Sequence, residues 1–108
     1  MTTVTSISVH TLKTMIDNSE TFTLLDVREP EEFEICHIKG SILVPLSEIE
    51  EHLPDFDTEK NYVVHCKSGQ RSLKAIQTMK DMGFTSMKNL NGGIMDWATS
   101  IEPTMEKY

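Results

Sequence analysis

Short apolar runs of strand length alternate with stretches of helical period along this chain, and that alternation limits the fold more than any other feature. Residues 22–27 (FTLLDV) and 62–65 (YVVH) are nearly continuous apolar runs, the pattern of strands buried on both faces. Residues 41–44 (SILV), 86–90 (SMKNL) and 3–8 predict three shorter strands. Ser8 is placed to cap a helix carrying Val9, Leu12, Met15 and Ile16 on one face. Pro30 suits the first position of a short helix that continues through EEFEI. Ser47 and Glu50 stand at capping-box spacing for a helix over residues 46–53, with Ile49 and Leu53 inward and Pro54 ending it. Residues 71–82 predict the strongest helix, with Leu73, Ile76 and Met79 near helical spacing and Gly83 as its stop. Asn91-Gly92-Gly93 predicts a turn, and residues 94–98 a last short helix. Such alternation specifies α/β layers: a central, mostly parallel five-stranded sheet flanked by helices. In these sheets ligands bind beyond the carboxyl ends of the strands, which directs attention to His65-Cys66.

At 108 residues the chain has room for one domain and no second catalytic unit. Ten basic residues stand against 17 acidic ones, a net charge of −7. That balance is the reverse of a nucleic-acid binder's and disfavours an anionic membrane surface. The longest uncharged apolar run, residues 41–46, is far short of a membrane span. The segment MTTVTSISVH has neither the basic nor the apolar region of a signal peptide, so a cytoplasmic location is expected. Two cysteines in such a compartment are not expected to form a structural disulfide, which leaves their reactivity as the question.

The segment VVHCKSGQRSLKAI answers part of it. A buried strand ends at Cys66, a polar loop (Lys67, Ser68, Gly69, Gln70) follows, and a helix begins at Arg71. The first amides of a helix lack intrahelical partners, and the dipole adds about half a positive charge there. Lys67 and Arg71 add cations, and Ser68 and Ser72 add hydroxyls. Together they make an anion cradle around one sulfur. An ordinary cysteine is about 3% ionised at neutral pH, and such surroundings can lower its pKa to about 3.5–7.5. The thiolate is the nucleophile, so Cys66 is the expected catalytic residue.

The string Cys66-Lys67-Ser68-Gly69-Gln70-Arg71-Ser72 resembles the active-site loop of rhodanese-like sulfurtransferase domains. Leu25-Asp26-Val27-Arg28-Glu29-Pro30 with Glu32-Phe33 resembles that family's first signature, and His37-Ile38-Lys39-Gly40-Ser41 its second. Gly92-Gly93-Ile94-Met95-Asp96-Trp97 resembles its closing motif. Residues 34–38, the Cys66 loop and the tail from Ile101-Glu102-Pro103 to Tyr108 further resemble the carboxy-terminal rhodanese domains of adenylyltransferase–sulfurtransferases. Those proteins activate ubiquitin-like sulfur carriers, and the adenylyltransferase part would lie outside this chain. The resemblance implies a three-layer rhodanese-like fold and a covalent Cys66 persulfide with no other cofactor. It implies an anionic donor such as thiosulfate, with a cysteine desulfurase and a ubiquitin-like sulfur carrier as partners. It also implies that Arg71 and the loop amides hold the persulfide, and that Asp26 and Arg28 support the loop. For Arg28 a weak surface ion pair is the competing reading.

Two other functions compete with sulfur transfer. A Cys-based phosphatase or arsenate reductase uses a Cys-x5-Arg cradle, whereas this loop is Cys-x4-Arg, with Ser72 where the Arg would stand. A docking module without catalysis would have no use for Cys66 and Arg71. Cys36 is read as a buried structural thiol, with a resolving role as the alternative. His37 and His65 are read as hydrogen-bonded structural groups. Their spacing matches no zinc pattern, and each points away from the neighbouring cysteine if it lies on a strand. Trp97 is expected as a core anchor. The acidic residues between Glu48 and Glu59 are expected to form a solvated face, or to steer a basic partner.

Overall fold

The computed structural model describes residues 4–108. Five strands form one sheet: β1 (Ser6–Ile7), β2 (Thr23–Asp26), β3 (Ile42–Leu43), β4 (Asn61–His65) and β5 (Ser86–Leu90). Their spatial order is β1-β5-β4-β2-β3, and every neighbouring pair is parallel. Five α-helices connect them: α1 (Val9–Asp17), α2 (Pro30–Ile35), α3 (Ile49–His52), α4 (Gln70–Asp81) and α5 (Gly93–Ser100). The sheet is fully parallel. The first predicted strand shortens to Ser6–Ile7, and Thr3 lies outside the described residues.

Alternation along β4 divides the core into two layers. Val64 and Cys66 face Ile49 and Leu53, and Ala75, Ile76 and Met79 of α4. Val63 faces Val9 and Leu12 of α1, and Ile94 and Trp97 of α5. Leu25, Val64 and Met79 are fully buried, each side chain contributing about 1.5–3 kcal/mol of hydrophobic stabilisation. Trp97 is a core anchor, as its position implied.

Local differences from the sequence reading have identifiable causes. Ser8 caps α1 as expected, its Oγ accepting from the Thr11 amide at 3.1 Å. Ile16 and Leu73, however, are 38% and 41% exposed, because each lies at the margin of its helix's apolar stripe. The expected helix over residues 46–53 breaks into a 3₁₀ turn (Leu46–Glu48), α3 and another 3₁₀ turn (Leu53–Asp55). Pro45 precedes the first turn and Pro54 lies inside the last rather than ending the helix, so the segment has no room for a regular start or finish. The Ser47–Glu50 capping box does not form. One forms at α2 instead, where the Glu29 amide donates to Glu32 Oε1 at 3.0 Å just ahead of Pro30. Ile49 and Leu53 still point inward. Among the described residues, no helix is long and apolar enough to cross a membrane.

Candidate active site

Cys66 follows β4 directly, on the α4 side of the sheet, and is 2% exposed. Gly69 caps α4 at φ 116°, a conformation that excludes side chains at low strain. This bend aims the Gly69 amide at Cys66 Sγ, at 3.1 Å. Ser72 Oγ stands 3.5 Å from the same sulfur. Burial pushes the Cys66 pKa up, but the Ser72 hydroxyl and the amides of Ser72, Gly69 and Ser68 outweigh it, leaving the pKa below the ordinary value. The expected anion cradle is therefore built mainly from amides and one hydroxyl.

The two cations of the loop are engaged elsewhere. Arg71 forms a two-pronged pair with Glu32, Nη1 to Oε1 at 2.6 Å and Nη2 to Oε2 at 2.9 Å. Arg71, against the opposing effect of burial and with help from the Tyr108 hydroxyl, holds the Glu32 pKa down to about 2. Lys67 Nζ lies 4.4 Å from the centroid of the Tyr108 ring, a cation–π contact. The side chains of Ser68 and Gln70 are exposed at the mouth of the loop.

A second helix terminus grips the loop from the other side. The Ile94 amide donates to the Cys66 carbonyl at 3.0 Å, and the Met95 amide to the Lys67 carbonyl at 3.1 Å. Gly93 permits the approach: a Cβ there would lie 2.6 Å from the Cys66 carbonyl oxygen, and against that of Lys67. Cys66 and Lys67 thus sit between the N-termini of α4 and α5.

Asp26 and Arg28 are completely buried, so Arg28 is not part of a surface ion pair. Its Nε and Nη2 hold the Asp26 carboxylate, Nη2 at 2.7 Å from Oδ2. Nη2 also donates to the Cys36 carbonyl at 2.7 Å, and Nη1 to the Glu32 carbonyl at 3.3 Å and to the Tyr108 hydroxyl at 2.9 Å. That hydroxyl in turn donates to Glu32 Oε2 at 2.6 Å. From Arg28 the hydrogen bonds reach the Cys66 loop through Glu32, which holds Arg71.

His65 differs from its sequence reading. It is fully buried, and neither ring nitrogen has a hydrogen-bond partner among the described residues. Its Nε2 is 3.8 Å from Asp26 Oδ2, whose carboxylate is already engaged by Arg28. Burial pushes the imidazole pKa down, so it is held neutral. His37 is hydrogen-bonded as expected, Nδ1 to the Phe33 carbonyl at 3.0 Å, with its ring stacked on Phe33. Cys36 is half-buried rather than buried, its sulfur 4.0 Å from Arg28 Nη1.

Sequence reasoning gave Asn89, Glu32, Gly93 and Tyr108 no role at the sulfur site. Asn89 Oδ1 lies 2.5 Å from Ser72 Oγ. The adjacent glycines ahead of a helix were the one local signal for the α5 grip.

Residues 8–100 match the family model of the rhodanese-like domain, and the chain belongs to that family. It is 36% identical over 105 residues to the "Probable adenylyltransferase/sulfurtransferase MoeZ" of Mycobacterium tuberculosis, covering 95% of this chain and 27% of that protein. It is 35% identical over 103 residues to the "Adenylyltransferase and sulfurtransferase MOCS3-1" of Zea mays, covering 89% of this chain and 22% of the relative. The chain thus spans about a quarter of the length of these two relatives. The "Putative sulfurtransferase YtwF" of Bacillus subtilis is 33% identical over 100 residues, with 93% of this chain and 96% of that protein covered. Among solved structures, human single domain sulfurtransferase TSTD1 superposes with a TM-score of 0.82 at 25% identity, covering 91% of this chain and 98% of the other.

Proposed function

We propose that this chain transfers sulfane sulfur through a persulfide on Cys66. The observation that carries the reading is the Gly69 amide 3.1 Å from the sulfur of Cys66, a residue that is 2% exposed at a helix N-terminus. The cradle closes around a single atom, which suits sulfur better than a tetrahedral oxyanion. With thiosulfate as donor, the Cys66 thiolate attacks the outer sulfur. The S–S bond of thiosulfate breaks, and sulfite leaves with the electron pair. The new terminal sulfur carries the negative charge, stabilised by the loop amides and by the field of the α4 N-terminus. A nucleophile such as cyanide then attacks that terminal sulfur, leaves as thiocyanate and restores the Cys66 thiolate. The electron pairs move between sulfur and the nucleophile, so the sequence of steps calls on no metal, nucleotide or flavin.

Lys67 and Arg71 supply positive potential at the mouth of the loop, with Arg71 acting at a distance from its pair with Glu32. Asp26 and Arg28 hold α2 and thereby Glu32. In the cell the donor is read as a cysteine desulfurase persulfide and the acceptor as a ubiquitin-like sulfur carrier. The similarity to the adenylyltransferase/sulfurtransferases MoeZ and MOCS3-1 supports sulfur transfer.

Intact-protein mass spectrometry after incubation with thiosulfate tests the proposal. The expected result is a gain of one sulfur atom, removed by cyanide, absent in Cys66→Ser and retained in Cys36→Ser. A folded protein that takes up no sulfur from thiosulfate or from a desulfurase persulfide would overturn it. Equal loss in both variants would replace it with a dithiol mechanism.

A further inference from the structure

The Ser72 hydroxyl has one proton and three acceptors around it: Asn89 Oδ1 at 2.5 Å, the Gly69 carbonyl at 3.0 Å and Cys66 Sγ at 3.5 Å. Asn89 lies on β5, beside β4, and is 3% exposed. Its carboxamide also packs over the loop, Nδ2 standing 3.8 Å from where a Cβ on Gly69 would be. We propose that Asn89 is a positioning residue of the sulfur site, acting through Ser72: its carboxamide decides whether the Ser72 hydroxyl gives its proton to the sulfur. This rests on the sulfur-transfer reading above and deepens it.

The argument is one of donors and acceptors. When Cys66 is a thiol, the nearest acceptor of the Ser72 proton is Asn89 Oδ1. The Ser72 oxygen then has a lone pair free for the S–H group. When the sulfur is an anion, as thiolate or persulfide, it needs a donor instead. A half-turn of the carboxamide presents its N–H2 group to the Ser72 oxygen and frees the hydroxyl proton for the sulfur. The chain of hydrogen bonds reverses with the charge of the sulfur while the backbone stays in place. A carboxamide can do this because it carries a donor and an acceptor at equivalent positions. In a buried chain each state must keep its polar groups paired, so the ability to reverse bears directly on the reaction cycle.

Asn89→Asp isolates the property. The substitution keeps the shape but, once ionised, offers acceptors alone, so it traps the Ser72 proton away from the sulfur. The readout is the pH midpoint of Cys66 alkylation by iodoacetamide, located by peptide mass, with no sulfur donor present. Asn89→Asp is expected to raise the midpoint by about one pH unit, or about tenfold less thiolate at neutral pH, with an unchanged plateau at high pH. In the Ser72→Ala background the same substitution is expected to shift the midpoint by less than half as much. An undiminished shift there would mean charge repulsion without Ser72, and overturns the proposal, as does no shift at all. If Asn89→Asp does not fold, Asn89→Ala takes its place. Ser72→Ala is then expected to slow alkylation at neutral pH less than half as much in that background as in the parent, and equal slowing overturns the proposal. Because alkylation reads the thiol alone, failure of sulfur uptake and failure of this inference are separate results.

Discussion

At the scale of the residue, the Glu32 carboxylate carries more of the site than its place in a short acidic helix implies. It closes the α2 capping box, takes both prongs of Arg71 and accepts from Tyr108. Glu32→Gln keeps the shape and removes the charge. Loss of these charge-assisted bonds is expected to lower stability by about 1–3 kcal/mol, read as a shift in the urea midpoint. The pH dependence follows from the lowered pKa. The unfolded carboxyl titrates near 4.5 and the folded one near 2, so the stabilisation is complete above about pH 4.5. It is lost as pH falls through about 2, and the acid unfolding curve of Glu32→Gln should lack that component. The place of Cys66 at the head of the amide cradle was legible because strand, loop and helix start are local patterns. The parking of Arg71 on Glu32 and Lys67 on Tyr108 was not, because those partners are 39 and 41 residues away in the chain.

At the scale of the element, two helix N-termini converge on one loop. Helix α4 offers an amide to the sulfur, and α5 offers amides to the carbonyls of Cys66 and Lys67. Gly93 makes the second approach possible, at φ 59°. Gly93→Ala is expected to lose about 1–2 kcal/mol from the left-handed backbone alone, with a further loss from the contact with the Lys67 carbonyl. Cys66 alkylation at neutral pH should slow as the loop is pushed off α5. Urea unfolding and alkylation rates measure the two effects, and an alanine variant with unchanged alkylation would mean that the α5 grip does not set the loop. Strands and long helices were well placed by periodicity. The segment from Leu46 to Asp55 was not, since Pro45 ahead of it and Pro54 within it leave too short a span for a regular helix.

At the scale of the whole molecule, helices cover both faces of β4, α3 and α4 on one side and α1 and α5 on the other, and His65 is sealed on the face opposite the sulfur. Its pKa is depressed in the fold, chiefly by burial. In the unfolded chain it titrates near 6.5, so below that pH the unfolded state binds a proton that the folded state refuses. Stability is therefore expected to fall as pH drops below about 6.5, with full stability retained above it. His65→Leu should flatten that part of the profile in thermal melts between pH 7.5 and 5. An unchanged slope would assign the acid sensitivity to other groups.

By itself the sequence determined the class of fold, the order of its elements and which sulfur stands at the start of α4. These rest on residues close together in the chain: a buried strand, a glycine that must turn, and a helix start whose amides lack partners. Tertiary structure decided what surrounds that sulfur. It buried Asp26 and Arg28 as a strut, and it brought Asn89 to Ser72, Gly93 to the loop and Tyr108 to Glu32 and Lys67. The physical reason is that sheet order and helix packing, rather than spacing along the chain, set which distant side chains share a low-dielectric volume in which every polar group needs a partner.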